Sequence, residues 1–254
     1  MQCGWWDSCA AVWLHLRPLD IHTGERKMDK EFWLERWERS EIGFHQGEIN
    51  PYLLRYWKEL HPACVGEVFV PLCGKSLDMV WLRQQGCRVL GVELSPIAVE
   101  DFFKENGQSP THLSSGKFES CEADGIRILC GDFFDLTKED LEKVSAVYDR
   151  ASLIALPPEM RERYARHLVD ILPSATQILL VTVDYPQAEM QGPPFAVSVG
   201  EVEALYGKYT EVRLLAQEDV LAQNPRFQQR GVSRMQENVF LLTLRDSNKA
   251  REAV

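Results

Sequence analysis

A glycine and an acid follow two successive strand-like segments and could together hold a sugar. Gly74 comes shortly after the apolar residues 68–70, and Glu93 ends the apolar run 89–92, nineteen residues further on. A glycine after a strand lets a ligand approach the backbone at the positive end of the next helix. A carboxylate at the end of the following strand can accept hydrogen bonds from both hydroxyls of a ribose. The alternatives are an ordinary strand-to-helix turn and a strand end that faces solvent.

The sequence of the turn indicates which class of ligand it would hold. Residues 71–76 read PLCGKS, with one glycine and a bulky leucine. Dinucleotide enzymes carry GxGxxG there, because those glycines admit a pyrophosphate to the start of the helix. A ribose-binding acid without that signature favours a ribose-bearing ligand that has no phosphate. S-adenosyl-L-methionine is such a ligand, and methyl transfer is the reaction that it supports.

Two further pairs of residues close predicted strands at the same sheet edge. Asp132 and Phe133 follow the third strand, where an adenine amine could meet the carboxylate and the adenine ring the aromatic face. Asp149 and Arg150 end the fourth strand. We expect Arg150 to bind the carboxylate of the methionine portion or an anionic substrate, with Asp149 orienting it. The alternatives are core packing for Phe133 or Phe134 and a surface ion pair.

Aromatic residues before the sheet could cover the cofactor. Trp33, Trp37 and Phe44 are close together in the sequence, and an aromatic lid would exclude water and attract a sulfonium. Tryptophans four residues apart also fit the core-facing stripe of a helix. His45 is expected to be a structural hydrogen-bonding residue rather than a base.

Hydrophobic periodicity predicts an α/β fold with a mostly parallel sheet. Helices are predicted around residues 32–38, after the Asn50–Pro51 and Ser95–Pro96 cap signals, through residues 77–82 and over residues 158–171. A loop or small hairpin is expected over residues 109–125. The predicted strands are residues 68–70, 89–92, 126–130, 146–148 and 178–183, with 211–215 and 239–244 forming an antiparallel end of the sheet.

Length and composition favour one soluble domain that acts on a small molecule. The chain has 254 residues, of which 45% are hydrophobic, so it can bury one substantial core. A net charge of −10 disfavours a nucleic-acid partner, and no apolar run reaches the roughly 20 residues that span a bilayer. We expect a monomer. Residues 1–27 are interpreted as a disordered or non-native leader, and residues 28–254 as the domain.

The cysteines indicate a reducing compartment. There are seven of them without CxxC spacing, so neither a zinc site nor a disulfide scaffold is expected, and a cytoplasmic location fits best.

Several segments strongly resemble the thiopurine S-methyltransferase family, particularly its bacterial branch. The resemblance covers about residues 28–244 and is carried by WLERW, GFHQG, FVPLCGKSLDMVWL, GVELS, CGDFFDL, YDRASLIALPP and GPPF. It implies a seven-stranded class I (Rossmann-like) fold and S-adenosyl-L-methionine as methyl donor. The cofactor contacts that it implies are Trp37, Leu72, Glu93 and Arg150, with Trp33, Gly74, Asp132 and Phe133 similarly placed. On the substrate side it implies Phe44 as an aromatic wall and Arg226, within NPRFQQRGV, as an arginine contact.

The resemblance implies S-methylation of thiopurine, aromatic or heterocyclic thiols, extending to selenium or tellurium compounds and so to metalloid resistance. Such thiols ionise readily, so no strong general base is expected and none is assigned. One alternative is a different small-molecule acceptor; another is a catalytically silent sensor of the cofactor. A nicotinamide oxidoreductase should show the missing glycines, and a nucleic-acid methyltransferase should show a basic face.

Overall fold

A single mixed sheet of nine strands organises the part of the chain that this computed structural model describes, residues 30–61 and 64–245. The strands are β1 (Glu67–Val70), β2 (Arg88–Glu93), β3 (Thr111–Ser115), β4 (Phe118–Ala123), β5 (Ile126–Cys130), β6 (Val144–Arg150), β7 (Gln177–Asp184), β8 (Thr210–Asp219) and β9 (Gln236–Leu244). Their order across the sheet is β3-β4-β5-β2-β1-β6-β7-β9-β8. The leader assigned to residues 1–27 lies outside the described residues.

Five parallel strands form the centre of this sheet. They are β5, β2, β1, β6 and β7, and β9 pairs antiparallel with both β7 and β8. These seven strands match the predicted architecture. The count of seven is wrong for the whole sheet, because the segment expected as a loop or small hairpin forms β3 and β4 and adds them antiparallel to β5.

Helices cover both faces of the sheet, and polar caps begin two of them as predicted. The Asn50 side chain accepts hydrogen bonds from the Tyr52 and Leu53 amides, and Ser95 accepts one from Ala98. The helices are α1 (Lys30–Glu38), α2 (Pro51–Tyr56), α3 (Asp78–Gln84), α4 (Pro96–Glu105), α5 (Ser152–Ala155), α6 (Pro158–Ile171), α7 (Val199–Tyr206) and α8 (Pro225–Gln229).

The core is divided between the two faces by the alternation of strand side chains. In β1, Val68 and Val70 pack with α2, α3 and α4, whereas Phe69 packs with α5, α6 and α7. All three side chains are buried, and burying one such side chain stabilises the fold by about 1.5–3 kcal/mol. Both faces of the central strands are therefore occupied, which leaves the strand ends for ligands.

The described residues contain one cysteine pair that the sequence analysis did not anticipate, a single link rather than a scaffold. Cys64 and Cys87 form a disulfide, whereas Cys73, Cys121 and Cys130 are free. The two partners precede β1 and β2, which are neighbours in the sheet, so strand pairing brings together cysteines whose spacing fits no motif.

Among the described residues, no helix combines the length and the apolar character needed to cross a bilayer.

Candidate functional site

The turn after β1 has an unusual backbone at the carboxyl edge of the sheet. Leu72 and Gly74 both have positive φ angles, of 45° and 52°. The left-handed region costs a non-glycine residue about 1–2 kcal/mol, so Leu72 is held there by its surroundings. At Gly74, an added Cβ would lie 3.3 Å from the Trp37 ring. The turn therefore lies between the end of β1 and helix α1.

Glu93 connects this turn to the start of α4. Its Oε2 accepts a hydrogen bond of 2.8 Å from the Gly74 amide, and its Oε1 accepts one of 2.8 Å from the Ser95 amide. Burial raises the pKa of this carboxyl, and the backbone donors at Ser95 and Gly74 partly offset the increase. Each carboxylate oxygen can accept a second hydrogen bond. Glu93 therefore retains the capacity that the predicted ribose contact requires.

The three aromatic residues predicted as a lid lie in one cluster. The Phe44 ring makes edge-to-face contacts with Trp33 and Trp37, with centroid distances of 5.6 and 5.7 Å. Trp37 is buried and packs against Gly74, so it serves the core as well as the turn. The cluster covers the glycine turn from the side of α1.

Asp132 fixes α1 to the end of β5. Its Oδ2 lies 2.6 Å from Lys30 Nζ, while its Oδ1 accepts a hydrogen bond from the Phe134 amide. Because Lys30 is 55% exposed, this ion pair contributes only about 0–1 kcal/mol. It nevertheless engages the carboxylate that was predicted to meet an adenine amine.

The Phe133 ring belongs to the core, and its contact with an adenine ring stays a prediction. Its side chain is buried in the core, where the ring packs on Tyr164 with a centroid distance of 4.7 Å. Phe134 is half-buried beneath the Arg163 guanidinium, which lies 3.8 Å from its centroid. The alternative, that one of these phenylalanines belongs to the core, is confirmed, because the short helical turn after Asp132 directs Phe133 inward.

The predicted pairing of Asp149 with Arg150 is also wrong. They are consecutive residues of β6 and so point to opposite faces of the sheet. Asp149 is fully buried and accepts a hydrogen bond of 2.7 Å from the Tyr164 hydroxyl. Burial raises its pKa to about 6, although the hydrogen bond from Tyr164 favours the charged form. Among the described residues, no ion pair joins Asp149 to Arg150.

An acid that the sequence analysis missed accompanies Arg150. Glu237, opposite Val183 in the β7–β9 pairing, has a pKa raised by burial and lowered in part by the Arg150 charge. Tyr52 lies beside it and donates a hydrogen bond to Glu218. The one sequence signal for Glu237 is an acid at the start of an apolar strand, which points to no particular partner.

His45 and Lys75 lie close to the same edge. Lys75 is buried, with its Nζ 2.5 Å from Glu105 Oε1. Burial lowers the pKa of His45, and the charges of Lys75 and Arg150 lower it further. These effects favour the neutral imidazole over the charged one, and the role of His45 stays a prediction.

Arg226 is the second residue of α8, which packs against the end of β7. The adjacent Phe227 packs in a small apolar cluster with Val183 and Met235. Arg226 is half-buried, and its charge contributes to lowering the pKa of Arg230 after burial, the main cause. Phe227 thus brings α8 close to the end of β7, while the contact of Arg226 with a substrate stays a prediction.

Comparisons with known proteins agree with this arrangement. The family model described as thiopurine S-methyltransferase matches residues 28–245. A thiopurine S-methyltransferase of Nitrosospira multiformis is 68% identical over 218 residues, covering 86% of this chain and 99% of that protein. One of Azotobacter vinelandii is 52% identical over 218 residues, covering 86% of this chain and all of that protein.

Solved structures show a similar fold at much lower identity. Phosphoethanolamine N-methyltransferase 2 of Haemonchus contortus has a TM-score of 0.61 at 11% identity, covering 87% of this chain and 61% of that chain. The 1,6-didemethyltoxoflavin-N1-methyltransferase of Burkholderia thailandensis has a TM-score of 0.58 at 12% identity, covering 85% of this chain and 87% of that chain. Both likenesses concern the fold alone.

Proposed function

Since the chain belongs to the thiopurine S-methyltransferase family, we propose that it methylates the sulfur of thiopurines and related aromatic or heterocyclic thiols at the carboxyl edge of its sheet. S-adenosyl-L-methionine is the cofactor, and it supplies an electrophilic methyl group on a sulfonium. The observation that carries the placement of the site is the Glu93 carboxylate, which joins the glycine turn to the next helix and keeps free acceptor capacity.

The cofactor side of the site consists of residues on the glycine turn and the strand ends. Glu93 would accept hydrogen bonds from the ribose hydroxyls, and the backbone at Leu72 and Gly74 would lie against the cofactor. Arg150 would bind its carboxylate, with Glu237 providing the counter-charge that Asp149 cannot. Trp37 would cover the turn, because it already packs on Gly74.

The proposed contact of Asp132 with the cofactor depends on its ion pair with Lys30. Its Oδ2 is paired with Lys30, so a contact with an adenine amine requires that ion pair to be shared or opened. Since a surface pair of this kind contributes little, we propose that Asp132 can exchange partners. Phe133 would contribute its backbone rather than its ring.

The acceptor side is built from aromatic and cationic residues. Phe44 and Trp33 would hold a flat acceptor, and Arg226 would favour an anionic or electron-rich one. An ionised thiol needs no strong base. Its sulfur lone pair forms the new bond to the methyl carbon as the bond from that carbon to the sulfonium sulfur breaks. The residues accelerate this step by orientation and by exclusion of water.

We also propose that residues 28–254 work as one monomeric domain on small molecules in the cytoplasm. The net charge of −10 supports the small-molecule part of this proposal, because it disfavours a nucleic-acid partner. Size-exclusion chromatography with light scattering would give the mass of a single chain; a dimer would contradict the proposal.

The function is tested by detecting S-adenosyl-L-homocysteine by mass spectrometry. The purified protein receives S-adenosyl-L-methionine with 6-mercaptopurine, a simple thiophenol or selenite. Product with either thiol is expected, and product with selenite would extend the acceptors to selenium. Tight cofactor binding without methylation of any thiol would contradict S-methylation and favour a sensor.

A further inference from the structure

The β3–β4 hairpin, at the edge of the sheet, carries three metal-ligand side chains on one face. His112 of β3 is directly opposite Cys121 of β4, and Glu119 precedes Cys121 by two residues, so all three point the same way. His112 Nδ1 lies 3.4 Å from Cys121 Sγ and 3.3 Å from Glu119 Oε1. One ligand atom from each of the three side chains lies within 4.8 Å of the other two.

We propose that His112, Glu119 and Cys121 bind a thiophilic divalent cation such as Zn²⁺. Imidazole, carboxylate and thiolate are the three kinds of ligand that zinc takes from proteins. At its usual bond lengths, ligand atoms around a tetrahedral ion are roughly 3.3–3.6 Å apart. The two short separations already have this value, so side-chain rotation alone would complete the triad.

The burial of the three ligands indicates how such an ion would be held. Cys121 is buried, whereas the side chains of His112 and Glu119 are 58% and 59% exposed. A cation would therefore rest on a thiolate at the protein surface with its fourth position open to water. Cys130 of β5, opposite Glu119 on the same face, is the nearest further candidate ligand in the strand pairing.

Two of the three proposed ligands are acidic groups. A divalent ion would release the proton of the Cys121 thiol and balance the charge of the Glu119 carboxylate. The cluster lies outside the glycine turn and Arg150, so this proposal is independent of the proposed methyl transfer.

Cobalt provides a direct test, because a thiolate bound to Co²⁺ gives a charge-transfer absorption. Tag-free protein is stripped with a chelator, titrated with Co²⁺ and back-titrated with Zn²⁺. We expect one Co²⁺ per chain with a thiolate band that Zn²⁺ removes, and a melting temperature that rises with Zn²⁺.

Substitutions in the hairpin test whether its side chains produce the thiolate band of bound Co²⁺. Cys121→Ser should abolish the thiolate band, and His112→Ala should weaken affinity by at least the roughly 10- to 100-fold that loss of an outer partner costs. Glu122→Gln is the matched control, because Glu122 lies on the other face of β4 and pairs with Arg88.

Two results would overturn the site: an unchanged band in Cys121→Ser, or equal affinities in wild type and His112→Ala. Since His112 is exposed, His112→Ala should fold even if the cysteine variant does not. Circular dichroism and cofactor affinity verify that each variant is folded.

Discussion

Glu93 has a structural role and a predicted binding role, and the two can be separated. Replacing it with alanine removes the acceptor for the Gly74 and Ser95 amides, which should cost roughly 1–3 kcal/mol of unfolding free energy. It also removes the proposed ribose contact. We expect Glu93→Ala to weaken S-adenosyl-L-methionine binding at least about tenfold while the protein stays folded.

Calorimetry of cofactor binding, together with urea denaturation, measures both effects. Glu100→Ala is the control, because Glu100 is an exposed acid of the neighbouring α4. Unchanged affinity in Glu93→Ala would refute the ribose assignment.

Asp149 should make the stability of the protein depend on pH. Burial raises its folded-state pKa to about 6, above an unfolded value of about 3.8, so the folded state binds the proton more tightly. Its contribution to the free energy of unfolding is therefore full below about pH 3.8 and is lost as the pH rises through about 6. The loss at pH 7 is about 3 kcal/mol.

Asp149→Asn should remove this loss, because the amide oxygen can still accept the Tyr164 hydrogen bond. Urea denaturation between about pH 4 and pH 7 should give a flatter profile for the variant and a more stable protein at neutral pH. Equal slopes for the two proteins in that interval would show that Asp149 is not the responsible group.

At the residue scale, the sequence predicted the contacts that follow from the pairing of strands close together in the chain. Gly74 follows β1 and Glu93 ends β2, and these strands are adjacent and parallel, so their meeting was predictable. Asp149 and Arg150 were paired because they are neighbours in sequence, although strand alternation separates them. Glu237 was missed because the strand pairing that brings it within electrostatic range of Arg150 joins distant parts of the chain.

The docking of α1 depends on one small residue in the turn beneath it. Gly74→Ala would strain a backbone with φ of 52° and bring a methyl group against Trp37. We expect a loss of about 1–2 kcal/mol from the backbone and, in addition, weaker cofactor binding as α1 is displaced.

Gly107→Ala is the matched control for this prediction. It has a φ of 66° but no atom within 4 Å of an added Cβ, so it should lose similar stability without losing affinity. Thermal melts and cofactor titrations compare the two variants. Equal affinities would mean that Trp37 does not couple the turn to the cofactor.

At the element scale, the strands with apolar sequences were predictable and those with polar sequences were not. The central strands are apolar runs buried on both faces, and their positions were confirmed within a few residues. The strands β3 and β4 read THLSS and FESCEA, which lack such runs, so tertiary pairing with β5 rather than propensity makes them strands.

At the scale of the whole molecule, the predicted domain boundary can be tested directly. All the site residues named above follow residue 28, where the family match begins. We expect a variant that lacks residues 1–27 to keep the methyl-transfer rate and the melting temperature of the full chain. A loss of either would show that the first 27 residues contribute to the enzyme.

The position of β9 between β7 and β8 has a consequence for synthesis on the ribosome. Although β8 precedes β9 in the chain, its partner in the sheet is β9. A nascent chain that has emerged only through β8 therefore holds an unpaired strand and an exposed edge of β7, both open to aggregation. The same strand brings Glu237 towards Arg150, so the nascent chain acquires its last sheet pairing and this part of its site together.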